Sequence, residues 1–112
     1  MTDFQFNVLW AEALASADRD AFISDAALSS IWGDAPDAAI PDDRLQQLGQ
    51  LWDAAHLTVK EIRAATGLSQ AAFAQRFCIP RRTVENWESG TNTCPAYVRL
   101  LLAQAVGLHE RG

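Results

Sequence analysis

The stretch Gly67 to Gly90, GLSQAAFAQRFCIPRRTVENWESG, leaves this chain few ways to fold. Gly67 stops one helix, and Ser69 is placed to cap the next, which starts near Gln70. Phe73, Ala74 and Phe77 supply that helix's apolar face. It gives way to Cys78-Ile79-Pro80, and Pro80 suits the first turn of a new helix. The second helix runs through Val84 and Trp87 and stops at Gly90. The pattern predicts two short helices joined by a tight turn, apolar only where the pair faces a core.

The second helix opens with the polar residues Arg81, Arg82 and Thr83. A rigid element with a basic N-terminal end is suited to entering a DNA major groove. Gly67-Leu68-Ser69-Gln70, Phe73-Ala74, Phe77, Ile79, Val84 and Trp87-Glu88-Ser89-Gly90 resemble the Xre/Cro-type helix-turn-helix family. The resemblance covers residues 58 to 106 and implies a lambda-repressor-like all-α bundle, here with an additional N-terminal helical segment. Two departures stand out. Cys78 occupies the turn position where the family usually has Gly, so it must accept an unusual backbone angle or the turn must relax. Thr91 replaces the basic residue often found after the final Gly, which weakens one expected phosphate contact.

The resemblance implies a sequence-specific, double-stranded DNA-binding regulator that reads the major groove with helix 80–89. Arg81, Arg82 and Asn86 fall where family members reach base edges. Arg can pair with O6 and N7 of guanine, and Asn with N6 and N7 of adenine. Arg82 and Asn86, one turn apart, share a helix face. Ser69 and Gln70, at the start of the preceding helix, are candidates for holding a phosphate, together with Thr83, Thr91, Asn92 and Thr93. The plainer reading of Arg81 and Arg82 is a solvated helix start paired with Glu85. Glu85 itself either orients one of these arginines or accepts from a cytosine amino group, and the orienting role is favoured. Glu88 resembles a position that serves the fold through a basic partner such as Arg63 or Arg76.

Charge is divided unevenly. Residues 1–55 hold two arginines against ten carboxylates, a net −8, and residues 56–112 hold seven cations against four carboxylates, a net +3. The motif half is therefore basic although the whole chain is at −5. Weak long-range steering towards DNA and salt-sensitive affinity follow. The acidic half is unsuited to lying along a phosphate backbone.

Other function classes find little support. Met1 to Trp10 has neither a basic start nor an apolar run, and no stretch approaches a membrane span, so a cytoplasmic location is expected. Only His56 and His109 offer imidazoles, and no phosphate loop or nucleophilic triad is recognisable, so neither catalysis nor a cofactor is expected. Cys78 and Cys94 read as reduced, largely buried thiols; with His56 and His109 they match no familiar zinc spacing.

The rest of the chain reads as helical. Periodicity predicts helices from Phe4 to Ala17, from a cap at Asp18 or Asp20 to Gly33, and from Asp42 to Ala55. Thr58 and Glu61 have capping-box spacing, and Pro95 opens a last helix through Val106. Trp10, Trp32, Trp52 and Trp87 read as core or interface. Pro36 and Pro41 mark a linker, giving an acidic segment 1–40, for dimerisation or partner binding, and a helix-turn-helix domain 41–112; the third helix's apolar stripe and the short spacing into Thr58 argue that the two form a single packed unit. The family usually binds DNA as a twofold dimer, here through Leu100 or Tyr97 of the last helix or through the N-terminal helices. The alternative reading is an antitoxin, similar to the HigA type, that caps a toxin-like protein with residues 1–40 and uses the motif for autoregulation.

Overall fold

The computed structural model describes residues 1–109, in which seven α-helices and one 3₁₀ turn occur and no strand. The helices are α1 (Asp3–Ala15), α2 (Arg19–Ala27), α3 (Asp42–Ala55), α4 (Val59–Thr66), α5 (Gln70–Phe77), α6 (Arg81–Ser89) and α7 (Ala96–Ala105). The described residues divide into two compact units, 1–56 and 57–109.

The first unit is a three-helix packing of α1, α2 and α3. Thr2 and Gln5 close a capping box on α1, at the same spacing as Thr58 and Glu61. Asp18 caps α2 by accepting from the Ala21 amide at 3.0 Å. Phe6, Leu9, Phe22, Leu48 and Leu51 fill the core. The expected continuous helix to Gly33 is broken. α2 ends at Ala27, and Ser29 starts a separate 3₁₀ turn, Ser30–Trp32, by accepting from the Ile31 amide. The adjacent serines offer the backbone local partners that compete with the helical ladder.

α3 has the expected bounds, but its packing corrects two expectations. It lies in the first unit with α1 and α2, so the division falls after His56 and not after residue 40. Its buried stripe is Leu48, Leu51 and Ala55, which α1 and α2 cover, while Leu45 stays exposed. Arg44 is buried instead: it donates to the Ala27 carbonyl at 3.2 Å, grips Asp34 through both terminal amino groups, and lies 4.3 Å from the Trp32 ring centre. Trp52 donates to the Ser16 carbonyl at 3.2 Å and stacks on His56, whose Nε2 donates to the Ala13 carbonyl at 2.8 Å. Trp32 and Trp52 are thus half-buried pins rather than core fillers.

The second unit packs α4 to α7 around Val59, Ile62, Phe73, Ala74, Val84, Cys94, Leu102 and Ala103. Phe77, Ile79 and Trp87 line its edge, half-buried. The Thr58–Glu61 capping box forms as expected, and Gly67 closes α4 at φ 71°. Arg99 donates to the Leu57 carbonyl at 2.7 Å, tying α7 to the start of this unit.

Candidate nucleic-acid interface

Ser69 accepts from the Ala72 amide at 3.1 Å and so sets the start of α5. α5 ends at Cys78, whose backbone lies in the left-handed region at φ 56° and ψ 37°. Of the two alternatives at this non-glycine position, the unusual angle is the one adopted. The turn keeps its geometry, and the Ile79 amide reaches back to the Ala74 carbonyl at 2.9 Å. An L-residue there costs about 1–2 kcal/mol. Cys78 is exposed, not buried as expected. Cys94 is buried, and burial pushes its thiol above the ordinary range.

α6 starts immediately after Pro80, which accepts from the Thr83 amide at 2.9 Å. Fully buried Val84 anchors its inner side, and Gly90 ends it at φ 82°. A second anchor crosses the unit. Arg63 on α4 meets Glu88 on α6 through paired bonds of 2.7 and 2.9 Å, and also donates to the Leu68 carbonyl at 2.9 Å. Gln70 Nε2 donates to the same Glu88 carboxylate at 3.3 Å. Only 6% of the Glu88 side chain is exposed, so its charge is held mainly by Arg63. That pairing keeps its carboxyl below the ordinary range against the opposing effect of burial. The partner for Glu88 is therefore Arg63 rather than Arg76. Gln70, read from sequence only as a phosphate ligand, also has this internal bond.

With its inner side fixed, α6 presents Arg81 and Arg82 exposed and Asn86 half-buried. Arg81 Nε pairs with Glu85 Oε1 at 2.9 Å, one turn along the helix. Thr83 is half-buried. The loop beyond α6 folds over its end: the Asn92 amide donates to the Asn86 carbonyl at 3.2 Å, and Ser89 and Thr91 hydroxyls bond at 2.9 Å. Thr91, Asn92 and Thr93 are exposed, as is Ser69 at the start of α5. The arrangement offers amide, hydroxyl and guanidinium donors from α5, α6 and the following loop.

Residues 59–110 match a family model described as helix-turn-helix. This segment is a helix-turn-helix domain of the Xre/Cro type. No curated protein and no solved structure matches the chain. The helix-turn-helix domain takes in α4 to α7, so the family match and the second unit cover nearly the same residues. It marks a DNA-binding regulator of the Xre type, with α5 and α6 as its paired helices. Among the described residues no helix is long and apolar enough to cross a membrane, and no group of three or more metal-ligating side chains is clustered.

Proposed function

We propose that the chain is a sequence-specific, cytoplasmic transcriptional repressor of its own promoter, non-catalytic, which reads the major groove of double-stranded DNA with α6. The observation that carries this reading is the outer side of α6: Arg81 and Arg82 exposed at its leading end, with Asn86 one turn after Arg82. Arg81, Arg82 and Asn86 take the base edges. Ser69, Gln70, Thr83, Thr91, Asn92 and Thr93 take phosphates. The protein binds as a homodimer, and the apolar exposure of α7 supports that assembly: Tyr97 is 68% and Leu101 60% exposed, one helical turn apart.

Fluorescence anisotropy with labelled DNA from upstream of the chain's own gene tests this reading. Binding that exceeds that of a scrambled duplex, falls with salt, and disappears in Arg81→Ala with Arg82→Ala is the expected result. Equal binding to both duplexes refutes it.

A second reading, an antitoxin that caps a basic partner protein, draws support from the acidic first unit, where Phe4 is 71% and Leu28 74% exposed. In that case Phe4→Asp with Leu28→Asp abolishes neutralisation of a toxin encoded beside this gene and leaves DNA binding unchanged.

A further inference from the structure

The outer side of α6 carries one residue at odds with a phosphate-rich partner. Glu85 puts a carboxylate on the helix that bears Arg81, Arg82 and Asn86, and its side chain is 44% exposed. An unneutralised acid at a DNA surface repels the backbone and lowers affinity. Its geometry points to what it gives in return. Glu85 Oε1 lies 2.9 Å from Arg81 Nε, an ion pair without hydrogen-bond geometry. The pairing draws Arg81 towards Glu85 on its Nε side and leaves its two terminal amino groups without a hydrogen bond among the described residues. A guanidinium drawn to a carboxylate on its Nε side can offer its end-on edge, and that edge matches the O6 and N7 acceptors of a guanine. Arg82 is exposed and has no ion pair among the described residues. Two neighbouring arginines thus differ: one is paired with a carboxylate of its own helix and the other is not.

We infer that Glu85 is a positioning residue for sequence readout, fixing Arg81 end-on towards a guanine and exchanging overall affinity for selectivity at that base pair. This rests on the DNA-binding reading given above. Removing the carboxylate has two opposite effects. The loss of a negative charge strengthens binding to any duplex, while Arg81, no longer aimed, pays the entropy of ordering itself at the guanine and can settle on a phosphate instead.

The test uses the full chain and a duplex selected by the wild type from a randomised pool. Every single-base-pair substitution of that duplex is then titrated with the wild type, Arg81→Ala, Glu85→Ala, Glu85→Gln and the Arg81→Ala, Glu85→Ala double variant. Arg81→Ala identifies the base pair that Arg81 reads. The expected result is that Glu85→Ala reduces discrimination at that same base pair about tenfold and tightens binding to a scrambled duplex about threefold. Glu85→Gln, which keeps an acceptor oxygen at the same reach, retains part of the discrimination. The double variant discriminates no worse than Arg81→Ala alone.

Unchanged discrimination in Glu85→Ala overturns the inference, because the ion pair is then only a surface contact. Loss at a different base pair also overturns it and assigns Glu85 a base contact of its own. A wild type that selects no sequence at all refutes the DNA-reading function itself, a result separate from either of these.

Discussion

Replacing Glu88 with Ala removes the carboxylate that holds α6 against α4 and the start of α5. The magnitude follows from what remains. Arg63 keeps its bond to the Leu68 carbonyl but loses both charge-assisted bonds, and Gln70 loses its acceptor. Breaking a fully buried ion pair by deleting one partner costs about 3–5 kcal/mol. Arg63 is 20% exposed and can recover some hydration, which places this case at about 2–4 kcal/mol. A unit of roughly fifty residues has about 3–8 kcal/mol of stability in total, so the variant loses about a quarter of it at the least and all of it at the most. Native-state hydrogen exchange at the Ile62 and Ala103 amides reads this directly, while amides of Leu9 and Leu51 in the first unit serve as internal controls. The double replacement Arg63→Met with Glu88→Leu fills the space without charge and restores most of the loss. A fall of less than about 1 kcal/mol at Ile62 in Glu88→Ala would show that Val84 and Phe73 alone hold α6, and that the ion pair is incidental.

The same carboxylate predicts an acid limit for the second unit. The folded-state pKa of Glu88 is lowered from the ordinary 4.5, so its contribution is fully present above that value and is lost as pH falls through the lower folded value. Helix content followed by circular dichroism from pH 6 to pH 2 should drop below pH 4.5 in the wild type, and Glu88→Gln should remove much of that dependence. Cys78→Gly should raise stability by about 0.5–1 kcal/mol, because it removes left-handed strain at an exposed position while adding unfolded-chain entropy; urea denaturation measures the shift. Gly49→Ala places a methyl within 2.5 Å of the Arg19 guanidinium end, a flexible group that swings aside at the expense of its pairing with Asp53. Since a helical Gly-to-Ala change gains about 1 kcal/mol and an exposed pair is worth less, the variant should melt at or slightly above the wild-type temperature. A loss above about 2 kcal/mol would mean that the α3 backbone is pinned more tightly there than the contacts imply.

The motif was legible because every local signal in it agrees. Ser69, the Phe73–Phe77 spacing, Pro80 and Gly90 each specify the same two helices, and the structure places them within a residue of expectation. Even the departure at Cys78 could be read as a choice between two backbone outcomes. What escaped the sequence depended on tertiary partners. α3 carries an apolar stripe that would suit either unit, and periodicity cannot name the surface that covers it; α1 and α2 do. Arg44 looked like one of two cations in an acidic half, yet Asp34, Trp32 and the Ala27 carbonyl bury it. Its neighbour Leu45 is left in solvent, the reverse of what residue type alone suggests. Gln70 was legible as a helix-start amide, whereas its bond to Glu88, eighteen positions on, was not.

The two thiols of the second unit divide into an open one and a closed one. Cys78 stands in solvent at the turn between α5 and α6, and Cys94 is sealed in the core with its thiol harder to ionise. A thiol reagent therefore counts states of the molecule: one label per folded chain and two per chain whose second unit has opened. The first label can carry a fluorophore three residues before Arg81, close to the DNA-reading helix but on the turn rather than on that helix. The rate of the second measures how often the domain opens without denaturant, and slowing of that rate by a duplex would report binding through the protein's own chemistry.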